Sequence, residues 1–228
     1  MGRLLRAIED YRYLLNRGYK RETSLRLVGD KYLLSRLERL LLYRCVHSLE
    51  EARARRTKLI PLREAKGKRI AVDGYNTLIT VESLLESKPL IICDDGFIRD
   101  LSAVHGGYEM KVITEDALRM IASIIKSSEV GEVGFFFDAQ ISRSGDVAAL
   151  TRRLLAEAGV EGVASAVKQA DSCTLEYAKI VASSDAIVID KAAYAVDLAQ
   201  ELIRHKRLGK LVFKIEQLQR LERFTQLS

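Results

Sequence analysis

The 228-residue chain has no tryptophan, two prolines, three cysteines and three histidines. Cys45, Cys93 and Cys173 are scattered and form no CxxC pair. That excludes a disulfide frame and a zinc knuckle, and predicts reduced thiols in a cytoplasmic protein. No histidine stands near Cys173 in sequence to activate it, so it reads as an unreactive buried thiol. No apolar run approaches the roughly 20 residues of a membrane span. The charged start, Met1 to Arg6, lacks the apolar core of a secretory signal, and Arg6 stands where a myristoylation signal wants Ser or Thr. Low-complexity tracts and internal repeats are absent. No GxxxxGK[ST] or GxGxxG follows an apolar run, so nucleotide cradling has no support.

What the chain does have is a globular composition, 48% apolar, and length for one ordinary domain plus a small companion. Its net charge of +6 hides an asymmetry. Residues 1–69 carry 19 Lys and Arg against 8 Asp and Glu, whereas the remainder carries 18 against 23. A basic arm on an acidic body suits an enzyme that grips a polyanion with one part and gathers metal with the other. Solubility alone would also produce such a split.

The organising stretch is Ile70-Ala71-Val72-Asp73-Gly74-Tyr75-Asn76, a short apolar run ending on an acid, then glycine and an amide. It predicts a buried strand feeding a turn and a helix to about Glu86, with Asp73 at the strand's carboxyl end. Phe135-Phe136-Phe137-Asp138, Ala166 to Asp171, and Ile187-Val188-Ile189-Asp190 repeat the arrangement. In an open parallel sheet ligands bind beyond the carboxyl ends of the strands. Four carboxylates converging there are costly unless a cation neutralises them. Taken singly, each Asp is more simply a helix cap or turn residue. Taken together they point to a metal site, with Asn76 placed to hold Asp73 or a phosphate.

In chain order, helices are predicted over 3–16, 21–29 and after Ser35, whose S-x-x-E spacing to Glu38 is a capping box. These could form a helix-turn-helix-like unit. Arg36, Arg39, Tyr43 and His47 fall near one face of the third helix, a surface for phosphates and stacked bases or else an ordinary solvated face. Residues 50–58 extend this basic helical domain, which is assigned to 1–60, with a linker at 61–68. A hairpin insertion is expected near 88–110, where Cys93-Asp94-Asp95-Gly96 divides two apolar runs. Its acids are turn residues on the plainer reading. On the sharper one, the hairpin is a flap carrying Asp95, Arg99 and His105 towards the acidic edge, with Gly106-Gly107 favouring mobility there. Further helices are predicted over 115–126, 150–158, 171–182 and 192–205, and strands over 163–167, 186–189 and 211–215. Alternating strand and helix make the body, residues 69–228, an α/β fold with a mostly parallel sheet.

Hard oxygen ligands suit Mg²⁺ or Mn²⁺, and the scarcity of histidine argues against zinc. Such a site hydrolyses phosphodiesters well. Aspartyl-phosphate hydrolases need a second Asp two residues after the nucleophile, where this chain has Tyr75.

Val72-Asp73-Gly74-Tyr75-Asn76, Phe136-Phe137-Asp138-Ala139, Ala170-Asp171 and Val188-Ile189-Asp190 together resemble the ordered acidic motifs of PIN-like nucleases of the NYN and YacP type, over about residues 69–215. The whole chain also resembles archaeal proteins of unknown function that join a small helical domain to a PIN-like domain. The resemblance implies a PIN-like three-layer fold and endoribonuclease activity leaving 5′-phosphate ends. Asp73 and Asp138 would be metal ligands, Asp171 and Asp190 would complete the site, and Asn76 would support it. It also raises the expectation of a homodimer. The expectation is thus a cytoplasmic Mg²⁺- or Mn²⁺-dependent ribonuclease with no membrane association, RNA being held by Arg36, Arg39, Tyr43 and Arg99, and Asp95 a possible accessory. A non-catalytic nucleic-acid-binding or regulatory protein on the same fold and a metal-dependent phosphatase are the alternatives.

Overall fold

The computed structural model describes residues 2–102, 108–206 and 212–215. The chain opens with four helices: α1 (Arg3–Asn16), α2 (Arg21–Lys31), α3 (Arg36–Cys45) and α4 (Leu49–Lys58). Leu4, Ile8, Tyr11 and Leu15 recur at helical spacing and are all buried, so α1 turns one apolar stripe inward. α3 starts on the expected capping box of Ser35 and Glu38. Ser48 and Glu51 make a second one at the start of α4, each satisfying two N–H groups the helix leaves open.

The body contains β1 (Arg69–Asp73), α5 (Gly74–Leu85), β2 (Leu90–Ile92), β3 (Ile98–Asp100), α6 (Val112–Ser127), β4 (Glu132–Asp138), α7 (Ser144–Glu157), β5 (Gly162–Val167), α8 (Ala170–Tyr177), β6 (Ile180–Ala182), α9 (Ala186–Lys191), β7 (Tyr194–Val196), α10 (Leu198–Lys206) and β8 (Val212–Lys214). Five strands form one sheet in the order β5-β4-β1-β6-β7, and every pairing in it is parallel. Side chains alternate as the pleat requires. Ile70, Val72, Phe135 and Phe137 enter the large core under α5, α6, α7 and α10. Ala71, Phe136 and Val181 face the smaller core under α8 and α9. The body is therefore an α/β fold of three layers, with the helical region attached.

The antiparallel pair of β2 and β3 is the expected hairpin, but it is no flap. With β8 it forms a second sheet that stands between two cores. Leu90 and Ile98 pack into the core of the body, while Ile91 and Cys93 pack with Leu4, Tyr11, Leu42 and Ile215 in the helical core. Arg12 grips Asp94 through two bonds of 3.0 and 2.9 Å, and the Asp94 N–H donates to the Cys45 carbonyl at 3.0 Å. The hairpin is a wall shared by both units. His105, Gly106 and Gly107 lie outside the described residues.

Three predicted elements are corrected. Ile187-Val188-Ile189 is part of helix α9, because the Asp185 side chain accepts the N–H groups of Ile187 and Val188 and closes the first turn. A three-residue apolar run does not by itself distinguish strand from helix. The helix expected over 171–182 ends at Tyr177 and gives way to β6. The helix expected over 192–205 contains β7 before α10 begins. No helix among the described residues is long and apolar enough to cross a membrane.

Candidate active site at the carboxyl edge of the sheet

From β1 the chain builds outward through β4 and β5 on one side, then crosses to β6 and β7 on the other. The direction reverses between β1 and β6. In doubly wound sheets the crevice at such a reversal, beyond the strands' carboxyl ends, is the ligand site. Asp73 ends β1, and Ser183, Ser184 and Asp185 follow β6.

Gly74 lets the chain turn directly from β1 into α5. A Cβ there would lie 2.4 Å from the Phe137 ring and 2.8 Å from the Phe136 carbonyl oxygen, so no other residue fits without displacing β4. This turn holds Asp73 at 4% exposure. Its Oδ2 accepts hydrogen bonds from Asn76 Nδ2 at 2.8 Å and Ser183 Oγ at 2.7 Å. Burial pushes the Asp73 carboxyl up to about 6, the two hydrogen bonds oppose this, and the charges of Asp171 and Asp185 add to it. Asp171, exposed in the first turn of α8, is also raised, by partial burial and by the charges of Asp185 and Asp138. Asp138 ends β4, one strand from Asp73. The Tyr75 hydroxyl is buried without a partner among the described residues, and burial with the Asp138 charge pushes it up to about 12.

The sheet thus brings Asp73, Asn76, Asp138 and Asp171 to one edge, as expected, but not Asp190. Because 187–189 is helical, Asp190 points the other way and takes a two-pronged ion pair from Arg55 at 2.6 and 2.8 Å. The fourth acid is Asp185, which the sequence reading missed. The signal was there: a short apolar run, Ile180-Val181-Ala182, breaks at Ser-Ser-Asp. The equally short run Ile187-Val188-Ile189, ending directly on Asp190, drew the strand assignment away from it.

The other predicted residues divide. Asp95 is no accessory ligand. It is fully buried, paired to Arg99 at 2.8 and 2.7 Å and to His47 at 3.2 Å. Burial alone would raise its carboxyl, but Arg99 and His47 outweigh that and hold it well below the usual carboxylate range. Asp94 and Asp100 likewise bind Arg12 and Arg44. Arg39 is engaged by Asp30 at 2.9 Å and the Leu34 carbonyl at 3.0 Å. Arg36 is exposed on α3, and neither residue lines the cavity described next.

Tyr43, His47 and Arg99 do meet, around a cavity of about 350 Å³ between the helical region and the carboxyl edge. Arg99 donates from Nε to the Ser184 carbonyl at 2.7 Å, so the hairpin does reach the strand exits, through its arginine. Part of the basic charge of the N-terminal region is therefore matched by acids of the body. Arg12, Arg44 and Arg55 all pair across the junction.

Residues 62–201 match the family described as "Domain of unknown function (DUF5616)". The chain belongs to the DUF5616 family. Residues 3–58 match a second family, "Protein of unknown function (DUF434)", so the two matches meet at the junction between α4 and the body. The chain is 36% identical over 202 residues to "Uncharacterized protein MJ0935" of Methanocaldococcus jannaschii, covering 88% of this chain and 96% of that one. No solved structure matches it.

For a divalent cation, the donors at this DUF5616 edge are oxygens only, which suits Mg²⁺ or Mn²⁺. Among the described residues no three acidic, histidine or cysteine side chains stand close enough to ligate one ion together. Mg²⁺ characteristically binds through one or two carboxylates and keeps several waters, so what fits it at this edge is the oxygen chemistry of the donors.

Proposed function

We propose that this protein is a Mg²⁺- or Mn²⁺-dependent ribonuclease of PIN-like fold. The observation that carries this reading is the position of Asp73. It is a buried carboxylate at the reversal of a parallel sheet, raised by burial and by the charges of Asp171 and Asp185. A protein maintains such a costly group where it has a use for it. Asp73 and Asp138 would hold the cation, with Asp171 and Asp185 close by as outer acceptors. Asn76 and Ser183 fix the Asp73 carboxylate through a single oxygen. Once bound, the cation would polarise the phosphodiester and make a bound water nucleophilic near neutral pH.

The spacing of the acids also favours a second reading, a nucleic-acid-binding protein that kept the fold without catalysis. Calorimetry with Mn²⁺ on the wild type, Asp73→Asn and Asp138→Asn, beside cleavage of end-labelled single-stranded RNA, separates the two. Saturable Mn²⁺ binding and cleavage, both lost in the two variants, are expected. RNA bound but left intact, with no Mn²⁺ binding by the wild type, would establish the second reading.

A further inference from the structure

The cavity beside the acidic edge has a use that the metal site does not explain. Tyr43 stands 42% exposed at its rim. Deeper in lie His47, Arg55 and Arg99, each at most 3% exposed. Ser184 and Asp185 form the wall towards the sheet, so Asp185 belongs to the cavity and to the acidic edge at once. Its volume of about 350 Å³ is within the range of small-ligand pockets.

Charge decides what the cavity can hold. Its lining has four arginines and four carboxylates. The deepest guanidiniums are already paired, Arg99 with Asp95 and Arg55 with Asp190. An inorganic anion would have to displace those carboxylates. A neutral planar group with donors and acceptors along its edge would not. The Tyr43 ring, with the Arg21 guanidinium 5.7 Å from its centroid, is the kind of exposed aromatic on which an unpaired base stacks.

We propose that this cavity receives one nucleobase of a single strand, the base next to the phosphate presented to the acidic edge. The identity of that neighbouring phosphate as the scissile one rests on the nuclease reading; the base site does not. A duplex would not enter, because its bases are stacked and paired, so the substrate class is single-stranded nucleic acid.

The test is equilibrium binding of adenosine, guanosine, cytidine, uridine, ribose 5-phosphate and inorganic phosphate to the full chain without divalent cations. Wild type, Tyr43→Ala, Tyr43→Phe and Asp73→Asn are compared. At least one nucleoside should bind saturably. Tyr43→Ala should weaken it by about tenfold, within the range for loss of one base–aromatic stack. Tyr43→Phe should restore it, whereas Asp73→Asn should leave it unchanged. No binding of any nucleoside, tighter binding of inorganic phosphate or ribose 5-phosphate, or indifference to Tyr43→Ala would each overturn the proposal. Nucleoside binding that responds to Tyr43 in a protein that neither binds Mn²⁺ nor cuts RNA would uphold the base site and remove the nuclease.

Discussion

Replacing Asp73 by Asn should stabilise the protein at neutral pH when divalent cations are absent. The carboxyl rises from its ordinary 3.8 to about 6 on folding. At about 1.4 kcal/mol per pH unit, holding it ionised in the native state costs roughly 3 kcal/mol above pH 7. Asn removes that cost and still offers a carbonyl oxygen to Asn76 and Ser183, although bonds to a neutral acceptor are weaker by about 1 kcal/mol. The net gain is about 2 kcal/mol, or about 4–8 °C in Tm for a chain of this length. The sign follows from linkage. Between pH 4 and 6 the native carboxyl holds a proton that the unfolded one has released, so wild-type stability falls as pH rises through that window. Below pH 4 both states are protonated and the advantage of Asn disappears. Thermal melts from pH 3.5 to 8 in a chelator would show it. Mn²⁺ should then raise the wild-type Tm at pH 7.5 and not that of Asp73→Asn. A variant less stable than wild type at pH 7, or an equal advantage at pH 4 and pH 8, would refute the reasoning.

Asp185→Asn keeps a good helix cap and should weaken Mn²⁺ binding by about tenfold, the size of an outer-partner effect at metal sites. Asp190→Asn should leave that affinity unchanged and show only as a small loss of stability through Arg55. Calorimetry on both tells whether the fourth acid is the one after β6, and equal effects would show that it is not. Arg99→Met leaves the buried Asp95 carboxylate with only His47 and Arg55 beside it and should cost about 3–5 kcal/mol, a large drop in Tm. Burial chiefly, with help from Arg99 and Arg55, lowers the His47 imidazole against the pull of Asp95. The unfolded ring therefore takes up a proton near pH 6.5 that the native ring declines, and stability is lost as pH falls below that value. His47→Gln should lose less stability than wild type between pH 7 and 5, and identical slopes would dismiss the effect.

Local chemistry alone determined a good part of this protein. The helices of the first 58 residues follow from apolar spacing and from Ser-x-x-Glu caps, interactions that span only three or four residues. β1 and β4 were legible because each is a continuous apolar run, buried on both faces, that ends on an acid, and with them Asp73 and Asp138. The hairpin at Asp94–Gly96 was legible from its turn. The tertiary structure decided the rest. β6 and β7 have three residues each, too few for a pattern, and are strands only because β1 offers β6 an edge to pair with and β6 offers one to β7. That pairing puts Asp185, and not Asp190, among the acids of the edge. Likewise nothing local joins Asp95 and Arg99, a pair on one hairpin, to His47 and Arg55 at the two ends of the α4 region. Two distant segments meet there, and what brings them together is the hairpin wall on which the helical region and the body both pack.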